Sequence, residues 1–183
     1  MLRHRWATAL IAVLAIAGIQ LAGATPAAAA TRILYYDAGQ AQEFVAVVNQ
    51  GAQIWNARVT NVQLRALTAG HTANIRVYAD NGWPRTYTTS LGNGRWYMGR
   101  QAVNQGYYPP RIAAHEFGHI LGLPDRRTGL CADLMSGSSA PVSCTNANPN
   151  SQETSAVESN FRSALVKSPR SYVWQGPAVQ PAA

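Results

Sequence analysis

The segment His115-Glu116-Phe117-Gly118-His119-Ile120-Leu121-Gly122-Leu123-Pro124-Asp125 restricts the fold more than any other part of this 183-residue chain. Histidines four apart share a face only if the chain is helical there, and the imidazoles of His115 and His119 can then address one ion. Glu116 falls about 100° round such a helix, beside the ion, where a carboxylate is placed as a base and poorly placed as a ligand. Gly122 accepts the left-handed backbone that ends a helix without a Cβ penalty, and Pro124 stops the helix from resuming. Asp125 is the first residue past that turn with a hard anionic oxygen. His115, His119 and Asp125 therefore form a three-ligand set for one catalytic Zn²⁺, with the fourth tetrahedral position left for water and Glu116 beside it as catalytic base.

Glycine three residues after His119 and an acid three further on extend this to the metzincin pattern, with aspartate as third ligand. Met135 follows ten residues later in Cys131-Ala132-Asp133-Leu134-Met135-Ser136-Gly137. Alone it reads as a core methionine; after the motif it reads as a turn beneath the metal. The run from Arg111 to Gly122, the Leu123-Pro124-Asp125 sequel, Leu134-Met135-Ser136-Gly137 and Cys144-Thr145-Asn146 resemble the snapalysin family, small extracellular neutral metalloproteases of Streptomyces. The likeness takes in Ala52-Gln53-Ile54-Trp55-Asn56 and Asn148-Pro149-Asn150-Ser151-Gln152-Glu153, and so covers roughly Ile33 to Phe161. It implies an α+β, metzincin-like zinc protease domain: a twisted mixed sheet, an active-site helix, a Met-turn and a C-terminal helix. It also implies protein or peptide substrates, zinc on His115, His119 and Asp125, and Glu116 as acid and base.

Two departures from the family pattern stand out. The family places a tyrosine two residues after the aspartate, where its hydroxyl steadies the tetrahedral intermediate; here Arg127 stands there, either an oxyanion donor in its stead or a solvated loop cation. The family is also associated with calcium held just before the zinc helix. That place reads Tyr108-Pro109-Pro110-Arg111, which largely lacks suitable side-chain oxygens, so Ca²⁺ depends on backbone carbonyls and is left open.

Residues 1–30 read as a signal peptide: Arg3, His4 and Arg5, an apolar run from Ala7 to Leu21, then Ala28-Ala29-Ala30 as the cleavage site. The run is short for a membrane anchor, so a secreted, extracellular protein without stable membrane insertion is expected. Residues 31–168 then form one protease domain and 169–183 a flexible tail, with no long inhibitory segment between cleavage site and first strand. Cys131 and Cys144, the only cysteines, are expected to pair in the oxidising exterior, stabilising the loop by about 3 kcal/mol. Zinc ligation by the pair is the weaker alternative, since a better ligand set is present.

Loss of the leader lowers the formal charge from +7 to about +5, with 13 basic and 8 acidic residues remaining. The arginines are dispersed, without a dense run. Solubility or weak surface adhesion is therefore expected, with no nucleic-acid partner, and a monomer.

Strands are predicted at Ile33-Leu34-Tyr35-Tyr36, Val59 to Leu67 and Asn74 to Tyr78, and a helix from Ala41 to Asn56. Asp80 to Pro84 reads as a turn. Arg95 to Arg100 is expected to be the edge strand on which an extended substrate pairs. Pro109 and Pro110 start the zinc helix, and Glu153 to Lys167 is the closing helix. His71, in a turn-like setting, reads as a surface residue. The function expected is peptide hydrolysis by a secreted zinc endopeptidase. Its rivals are a catalytically weak zinc-binding relative that docks on a partner or cell wall, and a zinc amidase.

Overall fold

The computed structural model describes residues 30–162. Most of the expected leader, the far end of the expected closing helix and the 169–183 tail lie outside them. Five strands form one mixed sheet: β1 (Arg32–Gln40), β2 (Val62–Ala66), β3 (Ile75–Asp80), β4 (Arg85–Ser90) and β5 (Asn93–Gly99), in the order β2-β1-β3-β5-β4. All neighbours run parallel except β4 and β5, which form an antiparallel hairpin. The helices are α1 (Val45–Asn56), preceded by a 3-10 turn at Gln42–Phe44, then α2 (Arg100–Asn104), α3 (Pro109–Ile120) and α4 (Ser151–Phe161).

Alternation decides which side of the sheet meets the helices. Leu34 and Tyr36 of β1, Ile75 and Val77 of β3, and Trp96 and Met98 of β5 are buried, while the residues between them are not. Phe117 of α3 packs edge-on against Tyr36 and Trp96, with centroids 5.6 and 5.2 Å away. Helix α1 lies close against α3 because Gly51 has no side chain: a Cβ there would come within 2.8 Å of Ala113 Cβ. The Trp55 indole N–H donates to the Ala114 carbonyl across the same contact, at 2.8 Å. These contacts fix α3 beneath the sheet.

One expectation is corrected. The segment predicted as an edge, Arg95 to Arg100, supplies β5, which is interior and pairs on both sides, and its last residue already begins α2. The edge is β4, Arg-Thr-Tyr-Thr-Thr-Ser, which lacks the apolar alternation that marks a strand in sequence and is held by its hairpin partner. At the opposite edge, Asn56 covers β2: its amide donates to the Leu64 carbonyl and accepts from the Leu64 N–H, both at 2.8 Å.

Candidate metal centre

Pro109 and Pro110 open α3 where amide donors have no helical partner, and the helix closes at Gly122 (φ 92°). The Leu123 N–H bonds to the Gly118 carbonyl and the Gly122 N–H to that of His119, both at 3.0 Å, which is a Schellman ending. This turn also serves the site, because the Leu123 carbonyl accepts the Nδ1–H of His119 at 2.8 Å. The Leu134 carbonyl takes the Nδ1–H of His115 at 3.0 Å. A carbonyl only accepts, so both rings carry their proton on Nδ1 and present the Nε2 lone pair inward.

Those lone pairs converge. The two Nε2 atoms are 3.1 Å apart, and Asp125 Oδ1 lies 3.1 Å from that of His115 and 3.5 Å from that of His119. Oδ1 is buried and makes no hydrogen bond among the described residues. Three electron-rich atoms facing one point are explained by a cation between them, and two imidazoles with one carboxylate suit Zn²⁺. Space is kept as well: Gly137 (φ 59°) sits against the site, where a Cβ would stand 3.2 Å from His115 Cε1 and 3.3 Å from Asp125 Oδ1.

Electrostatics without an ion show the same crowding. Burial opposes charging His115, but the Asp125 and Glu116 carboxylates and the Leu134 carbonyl together outweigh it and raise that pKa. Burial and the charge of His115 push His119 down to about 4. Asp125 is lowered: burial lifts it, and the histidines and Arg127 more than offset this. Glu116, adjoining in sequence and buried, is lifted by burial to about 7, against the lowering pull of His115 and of a hydrogen bond from Thr86.

Met135 lies buried in a 3-10 turn, Leu134–Ser139, directly under α3; a Cβ at Gly118 would sit 2.6 Å from its sulfur. Cys131 and Cys144 are joined in a disulfide beside this turn. Arg127, in the left-handed region at φ 49°, points its guanidinium at Asp125. His71 is exposed, away from the site, with its ring stacked on Tyr35.

Three residues that sequence reasoning passed over complete the site. Thr86, buried on β4, donates its hydroxyl to Glu116 Oε2 at 2.7 Å; nothing in its polar strand marks it. Arg111, buried in the first turn of α3, donates to the carbonyls of Cys131, Asp133 and Asn146, pinning the helix to the methionine turn. Glu153 accepts from the Leu134, Met135 and Asn150 N–H groups. The Asn150-x-x-Glu153 spacing of a capping box is a signal that finds it.

A cleft of about 340 Å³ opens over the three converging atoms, walled by Trp83 to Tyr87 on the β4 side and by Tyr107, Ile112 and Arg127. Residues 30–163 match the family model described as the Streptomyces extracellular neutral proteinase (M7) family. Two similar proteins are named extracellular small neutral protease. That of Streptomyces lividans is 41% identical over 149 residues, 79% of this chain and 65% of the relative. That of Streptomyces caespitosus is 45% identical over 123 residues, 67% of this chain and 91% of the relative. A third protein of that name, from Streptomyces sp. (strain C5), is 43% identical, with only 58% of its length covered. The chain thus spans somewhat less than two thirds of its longer relatives.

Proposed function

The chain belongs to the Streptomyces extracellular neutral proteinase (M7) family, and from that premise we propose that it is a secreted zinc endopeptidase. In this reading residues 1–30 direct export, 31–168 form the protease domain, and His115, His119 and Asp125 hold the ion. The observation that carries it is the meeting of two Nε2 lone pairs and the orphaned Asp125 oxygen at one point.

Zinc bound there would supply Lewis acidity and make a water easier to deprotonate. Glu116 is the group that takes that proton and returns it to the leaving amine, and the Thr86 hydroxyl holds its carboxylate on the cleft side. An extended peptide would lie along β4, whose outer edge borders the cleft, and pair with its main chain. Arg127, on the cleft wall, brings guanidinium donors toward the oxygen that becomes negative as the carbonyl is attacked.

The test is casein digestion by the exported protein, with and without chelator, alongside metal analysis. Wild type should contain one zinc and lose activity to the chelator. Glu116→Gln should keep the zinc and lose turnover; a folded variant with full activity would remove Glu116 as base. Release of peptidoglycan fragments without casein cleavage would favour the amidase, and zinc binding with neither activity the non-catalytic relative.

A further inference from the structure

Arginines that are dispersed in the sequence are gathered by the sheet. The helices occupy one face; the other carries Arg65 on β2, Tyr35 and Asp37 on β1, and Arg76 and Tyr78 on β3, all exposed or only partly buried. Arg95 and Tyr97 of β5 continue it, with Arg85 and Tyr87 of β4. Register sets these side by side. Asp37, Arg76, Arg95 and Tyr87 form one row across four strands, and Tyr78, Tyr97 and Arg85 the next.

Arg76 and Arg95 are direct neighbours on strands about 4.8 Å apart, an arrangement of like charges that costs a sheet stability. Among the described residues no carboxylate lies within 4 Å of Arg65, Arg76 or Arg95. Of the two acids nearby, Asp80 is paired with Arg85, and Asp37 turns an oxygen to the Gly39 N–H. Three exposed guanidinium groups with no carboxylate within 4 Å, and with Asp37 beside Arg76 as the one acid in their row, give this face a net positive charge that fits an anionic partner.

The rings narrow the choice of partner. Tyr97 is flanked by Tyr78, stacked at 5.2 Å, and by Arg85, 4.0 Å over the ring. Arg95 lies over Tyr87 and His71 over Tyr35. Each of these rings has at least one face covered, which leaves less stacking area for nucleobases, and the guanidinium groups of the face supply N–H donors. A peptide is disfavoured too, because β1, β3 and β5 are interior strands whose main-chain groups are consumed by the ladder.

We infer that this face binds a linear phosphodiester polymer of polyols, of the kind that coats a cell envelope, through Arg65, Arg76 and Arg95. The guanidinium fork fits the non-bridging oxygen pair of each phosphate. The three converging ligand atoms lie on the helix side of the sheet and Arg65, Arg76 and Arg95 on the other, with Arg85 and Tyr87 of β4 bordering both this face and the cleft, so the exported protein can be retained on a surface with its metal centre turned away from the polymer. The site rests on the secreted reading for access to its ligand.

The experiment measures fluorescence anisotropy of labelled poly(glycerol phosphate) with the exported protein over a series of salt concentrations. Arg76→Gln/Arg95→Gln should weaken binding about tenfold or more and flatten the slope of log K against log salt by roughly 1 to 1.5. Arg58→Gln/Arg162→Gln removes the same charge away from this face and should weaken binding by less than about threefold, on the expectation that only general attraction is lost. Circular dichroism should be unchanged in both. Equal losses in the two double variants would overturn the site, as would tighter binding of single-stranded DNA or polyglutamate of matched charge, or no binding at low salt. Binding is read without proteolysis, so an inactive cleft would count against the proposed function and leave this result standing.

Discussion

The guanidinium of Arg127 lies 3.0 Å from Oδ2 of Asp125, while Oδ1 of the same carboxylate faces the two histidines. The two oxygens are thus divided between a fixed cation and the proposed ion. Arg127 achieves this from a left-handed backbone at φ 49°, a conformation that costs a side-chain-bearing residue about 1 kcal/mol. If Asp125 holds the proposed ion, the positive φ and the ion pair make Arg127 a positioning residue for it, in addition to the proposed role toward the oxyanion.

The two roles separate experimentally. Removing a partner that orients a metal ligand typically costs 10–100-fold in affinity. Arg127→Ala should therefore weaken zinc about tenfold in a chelator competition and also lower kcat. Arg127→Lys should recover part of the affinity but less of the turnover, since an ammonium lacks the planar fork that can span a carboxylate and an oxyanion. If Arg127→Ala leaves zinc affinity intact, the orienting role is wrong and only the oxyanion role remains.

Thr86 and Glu116 give a second test. Replacing the hydroxyl by an isosteric methyl in Thr86→Val removes the 2.7 Å bond to Oε2 with little change of shape. A hydrogen bond to a charged group contributes about 1.5 kcal/mol, so kcat should fall about tenfold while zinc content stays the same. Unchanged kcat would mean that Glu116 holds its position without Thr86.

Glu153 is the stability counterpart. Its buried carboxylate accepts three backbone N–H groups, two of them in the methionine turn. Glu153→Ala strands those donors and should lower unfolding free energy by about 3 kcal/mol in urea titration. Glu153→Gln keeps one acceptor oxygen and should cost less. A loss under about 1 kcal/mol for Glu153→Ala would show that water replaces the carboxylate.

The convergence of His115, His119 and Asp125 was legible because its information is local. His115, Glu116 and His119 are fixed by one helical turn, and Gly122 and Pro124 force the return of Asp125. The methionine turn was reached through the metzincin pattern, and the disulfide from there being two cysteines in a chain expected outside the cell. The residues that hold the site together were less visible, since Thr86 and Arg111 act over 30 and 20–35 positions of sequence. Strand order failed for the same reason: the polar β4 looks like loop in sequence, and β5 looks like an edge until β4 is paired to it. Dispersed arginines hid a surface because single residues on four separate strands leave no run to see.

Glu158 ties α4 to the loop before β2, accepting from the Thr60 N–H at 2.6 Å, the Thr60 hydroxyl at 2.9 Å and the Asn61 N–H at 2.9 Å. Burial alone would raise its pKa, but these donors outweigh it and hold the carboxyl below its ordinary value. A folded-state pKa below the unfolded one means that the charged form is favoured by folding. Its contribution is therefore complete above the unfolded value, near 4.3, and is lost as pH falls through the folded value. Partial exposure limits this to about 1 kcal/mol. Glu158→Gln should melt a few degrees below wild type at pH 7 and close that gap as pH drops from about 4.5 toward 3. Thermal unfolding at pH 7, 5 and 3 checks this, and a gap that stays constant to pH 3 would show that the charge of Glu158 contributes nothing.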